Sequence, residues 1–213
     1  APFLLGVLFT SILRGMPIDE NMTMWATFTD YVNVYSVVGG IAVVLLTLVH
    51  GLTFIGLRTT GPVHTRALSV LKKVYYALFG GLVLFAVLTY FNTDLFTVRP
   101  VATPVFLGCI VLAALLGFIF ANKGKEGWAF TMSGLTIVLT VAMLFVGLFP
   151  RVMISSIDPA FNLTINNAAS GQYTLSLMTK ISLTLLPFVL GYQIWSYYIF
   201  RKRISHKDTV NYK

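Results

Sequence analysis

The chain alternates long apolar runs with short polar stretches, and the lengths of the runs decide the fold class. Five runs, at roughly 33–57, 74–92, 104–121, 128–150 and 174–200, are each long enough to cross a bilayer as a helix. The opening run, APFLLGVLFTSIL over residues 1–13, is apolar but too short, because a hydrocarbon core of about 30 Å takes about 20 helical residues. It has neither the basic leader nor the small-residue cleavage site of a signal peptide, so it is expected to be the end of a helix that starts before residue 1. The pattern predicts an all-α, polytopic membrane helical bundle of about five full transmembrane helices plus the end of one. No linker, low-complexity tract or internal repeat divides it.

Composition agrees and adds an orientation. Of 213 residues, 57% are hydrophobic and 10% charged, with a mean hydropathy of +0.83, too little charge to cover a soluble domain. A net charge of +8 would raise the question of nucleic acid in a soluble protein. Here the basic residues cluster between apolar runs, as in the cytoplasmic loops of membrane proteins, and no nucleic-acid partner is expected. Loop 58–73 carries Arg58, Arg66, Lys72 and Lys73, loop 122–127 carries Lys123 and Lys125, and the tail 201–213 carries Arg201, Lys202, Arg203, Lys207 and Lys213. The alternate connections 14–32, 92–103 and 151–173 hold one basic residue each, Arg14, Arg99 and Arg151. Basic residues resist translocation, so the side holding eleven of the fifteen is expected to be cytoplasmic, with the carboxy terminus inside. Trp25, Tyr31 and Tyr35 at one level, and Trp128, Trp195, Tyr197 and Tyr198 at the other, mark the two headgroup regions. The single cysteine, Cys109, lies in an apolar run and excludes an intrachain disulfide or a cysteine-based metal site.

Chemistry-bearing residues are few. All seven acidic residues fall in loops or at span edges, whereas proton-coupled transporters keep carboxylates at mid-membrane, where a charge is costly and retained for a purpose. His50 is the one histidine inside a span. It shares a face with Ser36, Gly39, Gly40, Val43, Thr47 and Phe54, a stripe of small and polar residues that packs against protein rather than lipid. A haem ligand or proton-path residue is one reading of His50. A neutral histidine bonded to a neighbouring helix, for instance through a threonine or a backbone carbonyl, is the favoured one, because His64 and His206 lie in cytoplasmic segments and no second deep histidine exists to complete a haem. Lys180 can snorkel to the surface from two turns inside the last span, and Pro187 removes a backbone hydrogen bond at mid-span, where neighbouring hydroxyls help satisfy the freed carbonyl. His50, Thr47, Lys180 and Pro187 are therefore structural or interface candidates. No phosphate loop, nucleophile–base constellation or metal-ligand spacing occurs, so no catalytic, cofactor-binding or metal-binding residue is assigned to this chain. The outer loop 151–173 is long and polar enough to cover a partner or a site.

Two pairs of segments resemble one family. SSIDPAFNLTINNAASGQYTLSLMT followed by LPFVLGYQIWSYYIFRKRI resembles the carboxy-terminal part of cytochrome bd quinol oxidase subunit II, and LLGVLFTSILRGMPIDENM with LVHGLTFIGLRTTG resembles its middle. The resemblance implies a two-subunit terminal oxidase of the bacterial cell membrane that oxidises membrane quinol and reduces dioxygen to water. It implies two four-helix bundles and a peripheral helix per subunit. Residues 1–13 would then end the first bundle, 33–150 form the second, 151–173 the extracytoplasmic loop, 174–200 the peripheral helix and 201–213 a basic cytoplasmic tail. Haem b and haem d are expected in the partner, subunit I, with subunit II haem-free and supporting assembly, sealing and the access of protons or oxygen. The resemblance leaves room for a structural quinone, a small accessory membrane subunit, and contacts with lipid and quinol, none of which a motif fixes. The competing readings are half of a secondary transporter and a haem-binding electron-transfer subunit using His50.

Overall fold

The computed structural model describes residues 1–199. Eight helices follow in order: α1 (Pro2–Arg14), α2 (Phe28–Tyr31), α3 (Val34–Arg58), α4 (Pro62–Asn92), α5 (Leu95–Val98), α6 (Ala102–Asn122), α7 (Glu126–Leu148) and α8 (Gln172–Ile199). Between α7 and α8 lie two short strands, β1 (Arg151–Met153) and β2 (Leu163–Thr164), paired antiparallel around a single 3-10 turn. Five helices, α3, α4, α6, α7 and α8, are long and apolar enough to cross a membrane, and the chain is a multi-pass membrane protein. At about 1.5 Å per residue the 21 residues of α6 already reach about 31 Å, a full hydrocarbon thickness.

Helices α3, α4, α6 and α7 close into a ring in which each packs on its two neighbours, and α1 lies along α3 with a lighter contact to α7. The core of the ring is built from Leu46, Val49, Leu71, Tyr75, Ile110 and Met143. A second, smaller core of Leu13, Tyr35, Leu95, Leu148 and Ile154 seals the end where α1 finishes. Outward-facing side chains such as Leu48, Val83, Leu112 and Val138 are apolar and exposed, the inverse of a soluble bundle and the surface a bilayer requires. None of the residues of α8 is buried, so this helix stands apart from the ring. Its Lys180 is exposed, and Pro187 lies within it at mid-length, the helix continuing on both sides. The Thr184 hydroxyl bonds the Lys180 carbonyl (2.8 Å), not the Leu183 carbonyl that Pro187 leaves free.

Local chemistry sets the boundaries. Asn33 caps α3 reciprocally: its side chain accepts from the Ser36 amide (3.0 Å) and its own amide donates to the Ser36 hydroxyl (2.9 Å). At α4, Gly61 takes a positive φ of 76° and Pro62 fills the first helical position, where a missing N–H costs nothing. That start lies twelve residues before the apolar run expected at 74, so the basic stretch carrying Arg66, Lys72 and Lys73 is helix and not loop. Arg, Lys, Ala and Leu are all good helix formers, and once Pro62 nucleates a turn nothing between it and Val74 breaks the helix. The connection between α3 and α4 shrinks to residues 59–61.

The ring is held at close quarters by small residues. A Cβ on Gly117 would sit 2.6 Å from the Tyr75 hydroxyl, which is buried and has no hydrogen-bond partner among the described residues. Tyr75→Phe is therefore expected to leave stability unchanged or raise it by about 1 kcal/mol. Gly117→Ala is expected to destabilise by about 1–3 kcal/mol alone and by clearly less in the Tyr75→Phe background. Thermal unfolding of the four variants in detergent measures this coupling, and strict additivity would refute the contact.

Candidate functional site

The polar residues of the ring converge at one level of the α3–α7 interface. Nδ1 of His50 lies 2.9 Å from the Ser133 hydroxyl on α7, and Ser133 is 3.1 Å from the Thr53 hydroxyl one turn along α3. Each hydroxyl also lies 2.8 Å from a backbone carbonyl on its own helix, Ser133 from that of Phe130 and Thr53 from that of His50. The Nδ1–Ser133 contact suits either tautomer of the imidazole, the hydroxyl accepting from an N–H on Nδ1 or donating to a bare one. The imidazole stacks on Phe130 with ring centroids 4.5 Å apart, and Phe54 leans on the same ring at 5.8 Å. Gly134 clears the space beside it, since a Cβ there would meet His50 Cε1 at 3.4 Å.

The expected face of α3 thus divides its work. Gly39, Gly40 and Ser36 meet α1, while His50 meets α7. Thr47, on the same face, turns its hydroxyl back to the Val43 and Val44 carbonyls of its own helix (2.9 Å each). The neighbour within hydrogen-bond distance of His50 is a serine of α7. Lys180 and Pro187, on α8, are not brought to this cluster. Ser133, Thr53 and Phe130 are the members that the pattern did not single out. The signal for Ser133 lies in the spacing of Ser133, Thr136 and Thr140 along α7, a hydroxyl stripe that marks the inward face of that helix.

Charged groups gather at the two ends of the ring. At the hairpin end, Nε2 of His64 contacts the Glu126 carboxylate, tying the first turn of α4 to the first turn of α7, and the Arg58 guanidinium sits over the Phe54 ring at 5.7 Å. At the other end Arg151, nearly buried, holds the Asp94 carboxylate with both terminal nitrogens, and Arg99 donates to the Phe149 carbonyl (2.7 Å). There the connection 15–33 packs on 149–171. The Met16 amide donates to Ile154, the Ser156 amide donates to Met16, and the Ser155 hydroxyl donates to Ile18. A polar cleft of about 480 Å³ opens between them, lined by Arg14, Asn92, Asp94, Arg151 and Asn162. Asp19 sits in the same layer. The Trp25 indole N–H (2.9 Å) and the amides of Thr23 and Asn21 bind its carboxylate and hold it below the usual carboxylate range. The Thr27 amide and hydroxyl lower Asp30 in the same way.

Inside the ring lies an almost wholly apolar cavity of about 210 Å³ between α1, α3, α4, α6 and α7, bordered by Phe9, Ala42, Leu82, Ile110 and Leu144. No group of three His, Cys, Asp or Glu residues able to hold a metal ion occurs among the described residues. The basic tail expected at 201–213, with His206, lies outside them.

The family model for cytochrome bd terminal oxidase subunit II matches residues 1–200. The chain is 50% identical over 211 residues to the cytochrome bd ubiquinol oxidase subunit 2 of Bacillus subtilis, covering 99% of this chain and 62% of that protein. It is 28% identical over 240 residues to the cytochrome bd-I ubiquinol oxidase subunit 2 of Escherichia coli K12, covering 97% and 63% respectively. A probable cytochrome oxidase subunit 2 of Haemophilus influenzae is 26% identical over 224 residues, covering 90% and 59%. The chain therefore spans about three fifths of the length of these relatives.

Proposed function

Because the chain belongs to the family of cytochrome bd terminal oxidase subunit II, we propose that it forms, with a haem-bearing subunit I, a membrane oxidase that oxidises quinol and reduces dioxygen to water. The observation that carries this reading is the family match over residues 1–200, with half the residues identical to those of the Bacillus subtilis protein across almost the whole chain. In this reading haem b and haem d are held by subunit I, and the present chain supports assembly and closes the catalytic subunit against water. Two observations on its own histidines favour that division. His50 is hydrogen-bonded to Ser133 and stacked on Phe130, and His64 is held by Glu126, so neither is poised opposite the other as a pair of axial ligands. The apolar cavity inside the ring suits an uncharged molecule, which fits a contribution to oxygen access. The test is to purify the native complex and record its reduced-minus-oxidised spectrum and subunit composition. Absorption of haem b and haem d and a second large membrane subunit are expected, and the absence of either overturns the reading.

Within this function residues 1–13 belong to a first bundle, the ring 33–150 is a second bundle, 151–173 is an outer loop and α8 is a peripheral helix. The hairpin end faces the cytoplasm, as does the carboxy terminus. In support, Arg58, Arg66, Lys72, Lys73, Lys123 and Lys125 collect at the hairpin end, while Asp19, Glu20, Asp30, Asp94 and Asp158 lie at the other. Sidedness is measured by placing a cysteine at exposed Lys123 or exposed Asn166 in a Cys109→Ser background. On intact cells a membrane-impermeant maleimide is expected to label Asn166→Cys at least about tenfold faster than Lys123→Cys, with the difference lost on permeabilisation. Equal labelling refutes the orientation.

A further inference from the structure

We propose that the polar cleft where α1 and α4 end holds the phosphate of a membrane phospholipid bearing one net negative charge, with Arg14 as its cation.

The cleft has charge left over. Two of the groups that line it neutralise each other, since both terminal nitrogens of Arg151 lie on the Asp94 carboxylate. Arg14 also lines it, is exposed, and has no hydrogen bond or ion pair among the described residues. The acids of the same layer are turned elsewhere. Asp30 feels the Arg14 charge, but its carboxylate accepts from the Thr27 amide and hydroxyl (2.7 Å each). Asp158 accepts from the Ala160 amide (2.7 Å), and Asp19 from Trp25, Thr23 and Asn21. Two arginines against one aspartate leave one positive charge in excess, the complement of a phosphodiester.

The neutral polar groups fit the same ligand. The Ser155 amide donates to Oδ1 of Asn162 (2.7 Å), which leaves the Asn162 NH2 as a donor for the cleft. Asn92 does the reverse: its NH2 donates to the Leu88 carbonyl (2.9 Å), and its Oδ1 remains as an acceptor. Phosphate oxygens match the Arg14 and Asn162 donors, and the Asn92 oxygen matches a hydroxyl of a head such as glycerol. An ammonium head needs a carboxylate of its own, and Asp94 is already held by Arg151. At about 480 Å³ the cleft has room for a headgroup.

Depth separates a lipid from a dissolved anion. Along α4, Leu84, Val87 and Phe91 follow one another at three- and four-residue steps, all apolar and exposed. Asn92, Thr93 and Asp94 come next, polar and lining the cleft, as Phe91 itself does. That change marks the edge of the hydrocarbon, so a phosphate in the cleft lets its acyl chains run down the apolar strip. An inorganic anion makes no use of that strip.

The test is made on the intact, full-length complex in mild detergent, titrated with phosphatidylglycerol and weighed by native mass spectrometry. The parent is expected to retain one phosphatidylglycerol more than Arg14→Gln, which needs at least about tenfold more added lipid to regain it. Arg14→Lys keeps the charge and is expected to retain the lipid. Phosphatidylcholine, with the same phosphate but no net charge, is not expected to replace it, and inorganic phosphate at the same concentration is not expected to displace it. Equal retention by the parent and Arg14→Gln overturns the site, as does a cleft covered by the partner subunit, which gives that same result. Loss in Arg14→Lys as large as in Arg14→Gln, or replacement by phosphatidylcholine, overturns the role given to charge. Displacement by inorganic phosphate would show a site for a small anion and not for a lipid.

Discussion

Gly6→Leu is expected to lift α1 off α3 and lower the apparent melting temperature of the purified complex by about 6 °C or more, equivalent to about 3 kcal/mol or more in a chain of this size. The reason is that the Cβ of any residue at Gly6 would lie 2.7 Å from the Gly40 Cα and 2.8 Å from the Gly39 carbonyl oxygen. Those are backbone atoms of a continuous helix and cannot rotate aside. The neighbouring contacts leave no slack either, since a Cβ on Gly39 would meet the Thr10 methyl at 2.3 Å and one on Gly40 the Phe3 ring at 2.7 Å. Separation also breaks the bond from the Ser11 hydroxyl to the Tyr31 carbonyl (2.8 Å) and withdraws Leu13 from the smaller core. In a bilayer no hydrophobic force restores the contact, because lipid tails solvate the exposed faces as well as a helix does, and close packing is the main source of the association. Gly80→Leu is the control. Its Cβ meets nothing within 4 Å, and the melting temperature is expected to stay within about 2 °C of the parent. Equal losses at Gly6 and Gly80 would show that the seam is not what holds α1.

The second large effect is expected at His50. His50→Ala removes the bond to Ser133 and the stack on Phe130 and leaves a void in the α3–α7 interface, together worth about 2–3 kcal/mol. Ser133 and Thr53 keep their backbone acceptors, so the substitution does not strand them. The expected outcome is less assembled oxidase with an unchanged haem content per complex, read from the pyridine haemochrome spectrum against protein mass. Selective loss of one haem would show instead that His50 is an axial ligand or fixes one.

How far the sequence foretold these arrangements differs from residue to residue. The apolar runs marked the five long helices because a chain segment that crosses hydrocarbon has to be almost uniformly apolar, and that signal is local. The start of α4 is hidden because Arg66, Lys72 and Lys73 carry the charge pattern of a loop while also being good helix formers, and only Gly61-Pro62 signals the helix start. His50 stood out because histidine is rare in spans, while Ser133 did not. Hydroxyl residues in membrane helices usually bond their own backbone, as Thr136 and Thr140 do here. The outer layer was illegible for a different reason. Met16 pairs with Ser155 across most of the chain, and Arg151 finds Asp94 between them, which no local pattern records.

Helix α4 has a consequence for how the protein sits in its membrane. Its 31 residues extend over about 46 Å, about 16 Å more than the apolar thickness it crosses. Such a rod does not float freely in depth. Lys72 and Lys73, exposed and immediately before the apolar segment, hold it like a waterline, and sinking it deeper requires dragging two ammonium groups into hydrocarbon. A change in bilayer thickness is therefore taken up by the helices that end flush, α6 and α7, sliding past a fixed α4. The Tyr75–Gly117 contact, which joins the fixed helix to a sliding one, is where that shear is felt first.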